Sequence, residues 1–156
     1  CGGGQTAQRL EQPEKSDLNE VNLSAETVAR LLDEFLKTQH AQATSRGVHC
    51  SAISDGKNIQ LLADDIGRHN TLDKLMGFIL LSDPSLKPSI MLTTGRISSE
   101  MLQKSARMGI SVVISLTSPN TVTVALAKEK GMTLIGYARG SRFNVYSHPE
   151  RFTDLS

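Results

Sequence analysis

Leu62-Ala-Asp-Asp-Ile-Gly-Arg-His-Asn-Thr-Leu-Asp-Lys-Leu75 passes in one short stretch from an apolar run to a polar turn and on into a helix. Ile59, Leu61 and Leu62 read as a strand that ends in the carboxylates of Asp64 and Asp65. Gly67, Arg68 and His69 follow, and then Leu72, Leu75, Met76, Ile79 and Leu80 recur with a helical period until Asp83-Pro84. An α/β protein builds a polar site at the end of a strand in this way. Gly67 lets the backbone turn tightly, while free N–H groups and the Arg68 guanidinium favour an anion. An ordinary polar strand-to-helix loop accounts for the same polarity.

Downstream of this stretch the alternation becomes regular. Ser89 to Thr93 and Ser111 to Leu116 read as buried strands, and Thr133 to Tyr137 as a further one. Helices over Ser98 to Met108 and Asn120 to Lys130 separate them. Such alternation implies parallel crossover connections with helices covering a sheet. Upstream, Val48 to Ser54 pairs with the Ile59 strand across Asp55-Gly56-Lys57-Asn58 as a hairpin. Ser24 caps a helix that carries Val28, Leu31, Leu32, Phe35 and Leu36 on one face and runs to about Ala43. The expected fold is a three-layer α/β domain, a mixed sheet with an initial hairpin followed by parallel β-α-β units.

In such sheets ligands bind beyond the carboxyl ends of the parallel strands. The Ile59 strand leads to Gly67, Arg68 and His69, and the next to Thr94, Gly95, Arg96 and Ser98. Later strands lead to Ser118-Pro119-Asn120 and to Arg139-Gly140-Ser141-Arg142. With these strands parallel, Arg68, Arg96, Arg139 and Arg142 share one rim with three helix N-termini. Arginine forks and helix N-termini suit phosphate oxygens. The competing assignment pairs Arg68 and Arg96 with Asp64, Asp65 or Glu100 and makes Ser98 a helix cap. Asp64 and Asp65 are further candidates to bind magnesium through phosphates, or to orient Arg68 or His69.

With 156 residues, 38% hydrophobic and 21% charged, the chain reads as one globular domain. A net charge of +1 argues against nucleic acid as partner. No apolar run approaches bilayer length, and no signal peptide is visible. The first residue is Cys, so a fragment or processed chain is expected. Two cysteines make no disulfide framework, and a reducing cytoplasm is the simpler assumption. Cys1, before Gly2, Gly3 and Gly4, is either an exposed nucleophile or an incidental terminal thiol. Cys50 follows His49 on a strand, where neighbours face opposite ways, and reads as a small buried residue. The zinc-deaminase pattern, His-x-Glu followed by Pro-Cys-x-x-Cys, is not met: Ser51 stands where the glutamate belongs and no Cys-x-x-Cys follows.

Several motifs in one order resemble the FdhD family of accessory sulfurtransferases required for active formate dehydrogenase. They are Gly47-Val-His-Cys-Ser-Ala52, Asp64-Asp-Ile-Gly-Arg-His-Asn-Thr-Leu-Asp-Lys-Leu75 and Thr94-Gly-Arg-Ile-Ser-Ser-Glu100. Gln103-Lys-Ser-Ala-Arg-Met-Gly109, Thr133-Leu-Ile-Gly-Tyr-Ala-Arg-Gly140 and Arg142-Phe-Asn-Val-Tyr146 complete the set. The resemblance implies a cytidine-deaminase-like fold without its metal, in a cytoplasmic homodimer. It implies that a cysteine desulfurase hands sulfur to a cysteine as a persulfide. The sulfur then passes to the molybdenum or tungsten bis-molybdopterin guanine dinucleotide cofactor of formate dehydrogenase.

On this resemblance Cys1 is the expected persulfide carrier, on a flexible loop over residues 1–22 before a cofactor-binding domain over 23–156. Tyr137, Ala138, Arg139, Gly140, Ser141 and Arg142 are the implied cofactor-binding segment. Gly67, Arg68, His69, Gly95 and Arg96 join them from the rim argument, and no protein-held metal is expected. The family's sulfur loop reads Cys-x-x-Cys-Gly, whereas this chain has Gly4 where a second cysteine would follow Cys1. Cys1 is thus either cysteine of that pair, and Cys50 is a candidate substitute for the other. The family's β-rich part before this cysteine is not in the sequence.

Overall fold

The computed structural model describes residues 18–42 and 47–154. Helix α1 (Ala25–Gln42) begins where the Ser24 hydroxyl accepts the Thr27 N–H at 3.0 Å, as its capping position predicts. Strands β1 (His49–Ser54) and β2 (Ile59–Asp65) form the expected antiparallel hairpin, with His49 opposite Asp65 and Ala52 opposite Leu62. Helix α2 (Arg68–Leu81) follows at once. Then come β3 (Ile90–Thr93), α3 (Ser99–Arg107), β4 (Val112–Ser115), α4 (Thr121–Lys130) and β5 (Thr133–Arg139).

One strand lies beyond those read from sequence: β6 (Arg142–Ser147) returns antiparallel to β5 across Gly140 and Ser141. Its apolar Phe143 and Val145 alternate with Arg142 and Asn144, the pattern of a half-covered edge strand. Arg139 and Arg142 face each other across the two-residue turn, so β5 also runs past the expected end at Tyr137.

The sheet order is β2-β1-β3-β4-β5-β6. β3, β4 and β5 are mutually parallel, and β1 is antiparallel to both β3 and β2. β2, β3, β4 and β5 therefore point the same way, and their carboxyl ends lie along one edge. Alternating residues feed two cores. On one face Ala52, Ile90, Leu92, Val112 and Ile114 meet Leu31, Leu32 and Phe35 of α1. On the other, Ile53, Met91 and Val113 meet Leu72 and Leu75 of α2 and Met101 and Leu102 of α3. Helix, sheet and helices make the three layers. No helix among the described residues is long and apolar enough to cross a membrane.

Candidate functional site

At the end of β2, the Asp65 carboxylate accepts the Gly67 N–H at 2.9 Å and the Asn70 side-chain N–H at 3.1 Å. It also pairs with Lys74 at 2.8 Å. Lys74 first, then these N–H groups, hold the Asp65 carboxyl well below the usual carboxylate range. Asp65 thus closes the loop upon itself. Gly67 caps α2 without a side-chain bond, so the first turn of the helix presents bare backbone, flanked by Arg68 and His69. A Cβ on Gly67 would stand 2.9 Å from the Asn70 amide nitrogen, which fits the glycine to this turn.

The end of β3 comes against that turn. A Cβ on buried Gly95 would lie 3.3 Å from Arg68 Cβ and 3.3 Å from His49 Nδ1, so its lack of a side chain lets the two loops meet. His49 therefore faces the Arg68 side of the sheet, and Cys50 the α1 side. Arg96 is exposed beside Gly95. Ser98 caps α3 by accepting the Met101 N–H at 3.2 Å, the plainer of its two sequence readings. The Glu100 carboxylate lies 3.9 Å from His69 Nδ1 and 3.8 Å from Lys104, which pairs with Asp73 at 2.9 Å.

At the far end of the same edge the β5–β6 hairpin forms an open cleft of about 700 Å³. Tyr137, Arg139, Ser141, Arg142 and Phe143 line it, with Ala25 at the start of α1. Tyr137 is half exposed and has φ of 51°, a left-handed conformation unusual for an aromatic residue. It falls within an irregularity in pairing between Gly136 and Arg139, and the Tyr137 N–H donates to the Thr117 carbonyl at 3.2 Å. Gly136 is enclosed: a Cβ there would come within 2.8 Å of both the Thr117 carbonyl oxygen and the Tyr146 ring. Gly140, with φ of 58°, supplies the turn, and Ala138 is buried against the α1 core.

The expected rim is thus one edge holding two groups. Arg68, His69 and Gly95 sit where α2 and α3 begin, and the hairpin cleft opens beside the start of α1 on the other face. Four strand spacings separate the ends of β2 and β5, roughly 20 Å. Among the described residues no carboxylate pairs with Arg68, Arg96, Arg139 or Arg142. Asp65 is taken by Lys74 instead, and Asp73 and Glu100 by Lys104, while Arg68 Nε is enclosed without a hydrogen-bond partner. Likewise no three His, Cys, Asp or Glu side chains among the described residues could hold a metal ion.

A model of the FdhD/NarQ family matches residues 1–153. The chain belongs to the FdhD/NarQ family. It is 36% identical over 156 residues to the sulfur carrier protein FdhD of Bacillus pumilus (strain SAFR-032), covering 99% of this chain and 60% of that protein. The sulfur carrier protein FdhD of Staphylococcus aureus (strain MRSA252) is 36% identical over 140 residues, with 90% and 53% covered. A crystal structure of a candidate formate dehydrogenase accessory protein from Desulfotalea psychrophila superposes with a TM-score of 0.76 at 37% identity. That match covers 86% of this chain and 58% of the other. The chain spans between half and two-thirds of the length of these relatives.

For this FdhD/NarQ chain the expected sulfur-carrying residue, Cys1, lies outside the described residues, and so does most of the expected loop over 1–22. Cys50 is 1% exposed, and burial, with the charge of Asp64 adding to it, pushes its thiol up to about 12. A protonated, enclosed thiol is a poor nucleophile, which weighs against Cys50 as the second carrier. Sequence reasoning missed the hydroxyls beneath the edge, Ser51, Thr71, Thr93 and Ser115, all at most 2% exposed. For Thr93 and Ser115 the signal was a hydroxyl closing an otherwise apolar strand; Ser51 and Thr71 carried none.

Proposed function

We propose that this protein is a sulfur carrier for formate dehydrogenase. In this reading the Cys1 thiolate attacks the outer sulfur of a cysteine desulfurase persulfide. The sulfur–sulfur bond breaks, the desulfurase leaves as a thiolate, and Cys1 becomes the persulfide. The sulfur is destined for the molybdenum or tungsten bis-molybdopterin guanine dinucleotide cofactor, which is cargo here. The names of the relatives support the role, and the resemblance supports a cytoplasmic homodimer.

The observation that carries the ligand assignment is the edge itself, where Arg68, Arg96, Arg139 and Arg142 stand at or just beyond the ends of parallel strands and have no carboxylate partner among the described residues. A bis-dinucleotide bears two separated pyrophosphates, and two cationic groups roughly 20 Å apart on one edge suit a ligand of that extent. Arg139 and Arg142 would hold phosphate oxygens in the cleft, with the half-exposed Tyr137 ring open to a guanine. Arg68, Arg96 and the bare first turn of α2 would hold the other end.

The test is mass spectrometry of the full-length protein after incubation with a cysteine desulfurase and cysteine. A gain of one sulfur on Cys1 and none on Cys50 is expected; no gain on either would sink the carrier role. The second reading, a cofactor-binding chaperone that moves no sulfur, draws on the same edge. It requires that a Cys1→Ala strain keep its formate dehydrogenase activity.

A further inference from the structure

The edge rests on hydroxyls where the rest of the same layer is apolar. Directly below them on that face, Ile53, Met91 and Val113 fill the space between sheet and helices. At the edge stand Ser51 of β1, Thr71 of α2, Thr93 of β3 and Ser115 of β4. A buried hydroxyl costs stability unless it is bonded, so what each one holds indicates what it is there for.

What they hold is the backbone of the site. Thr71 donates to the Arg68 carbonyl at 2.6 Å and lies 2.7 Å from Ser51 Oγ. Ser51 donates to Thr93 Oγ1 at 2.9 Å, and Thr93 Oγ1 accepts the Gly95 N–H at 3.2 Å. On the other side of that glycine, Ser115 donates to the Gly95 carbonyl at 2.9 Å. Ser115 then accepts the Thr117 N–H at 3.0 Å and its hydroxyl at 3.1 Å, which fills its one donor and two acceptor places. The Thr117 carbonyl takes the Tyr137 N–H. A line of hydrogen bonds, one close hydroxyl contact between Thr71 and Ser51, and short backbone links thus runs from Arg68 to Tyr137, across the centre of the sheet.

We infer that this band of buried hydroxyls, with Ser115 at its middle, sets the placement of the Arg68–Gly95 group relative to the Tyr137–Arg142 hairpin, so that one extended ligand is held at both. The inference rests on the reading of the two groups as one ligand site. Ser51, Thr71, Thr93 and Ser115 are positioning residues that touch no ligand themselves. A buried hydroxyl with every donor and acceptor place filled, as Ser115 has, stiffens its surroundings, and that is the property such a cradle needs.

The test uses Ser115→Ala in the full-length protein, with two readouts. Amide hydrogen exchange at Tyr137 and Gly95 should quicken about tenfold, and affinity for guanosine diphosphate, as probe for one end of the cofactor, should fall about tenfold. Thr93→Val should weaken the nucleotide similarly and Thr93→Ser restore it, which keeps the test open if Ser115→Ala folds poorly. Unchanged exchange at Tyr137 together with unchanged affinity would overturn the band. Faster Tyr137 exchange in a protein whose wild type binds no guanosine diphosphate supports the band and overturns the ligand assignment.

Discussion

Tyr137 holds a left-handed backbone conformation that costs an aromatic residue on the order of 1 kcal/mol. Strain of this kind persists where surroundings impose it, here the Thr117 carbonyl and the enclosed Gly136. Asn tolerates that conformation, so Tyr137→Asn should leave stability unchanged or higher by up to about 1 kcal/mol. Its affinity for guanosine diphosphate should fall about tenfold through loss of ring stacking. Urea unfolding beside calorimetric titration checks both, and a large loss of stability with intact binding would contradict this account. Cys50 gives a second prediction. Its thiol is pushed up to about 12 by burial, so the folded state keeps a proton that the unfolded chain loses near 8.5. That contribution is complete below the unfolded value and disappears as pH rises from there towards about 12. Native protein at pH 8 should leave Cys50 unreacted towards a thiol reagent, whereas urea-unfolded protein should react. Burial of Cys50 was legible from its strand setting. Tyr137's φ was not, because it arises from the Thr117 carbonyl, remote in sequence.

The elements whose periodicity is local were the legible ones. Leu72 and Leu75 on α2, and the short apolar runs of β3 and β4, announced themselves because each is buried along its whole length or one face. Helix starts were legible as well: Asn120 accepts the Thr123 N–H at 2.8 Å and Ser98 caps α3. Ser98→Ala should therefore cost about 1 kcal/mol, read by chemical denaturation, with little effect on nucleotide affinity. An equal loss of affinity would instead place Ser98 in the site. β6 escaped because only one of its faces is covered, and its leading Arg-Gly-Ser-Arg reads as loop. The turn between Arg139 and Arg142 is what converts those two cations into facing neighbours.

Across the whole molecule, sequence order and strand direction together put four strand ends on one edge. That much followed from the alternation of strands and helices. The division of the edge into two groups on opposite faces did not, since it depends on which side of the sheet each loop leaves. Arg139→Ala with Arg142→Ala should weaken guanosine diphosphate by more than tenfold and flatten its salt dependence. Sulfur loading of Cys1 should be retained, as mass spectrometry would show; a loss of loading would mean the hairpin meets the desulfurase. The two hairpins, β1–β2 and β5–β6, pair through short turns, whereas β3, β4 and β5 find one another only across intervening helices. Pairing between near neighbours closes small loops and comes early in folding, while crossover pairing closes large ones and comes late. The central parallel strands bring Gly95, Ser115 and Thr117 together, so the hydroxyl band assembles in the last stage. A chain arrested before that stage would hold both hairpins yet present no cradle, and competence to bind would report completion of the fold.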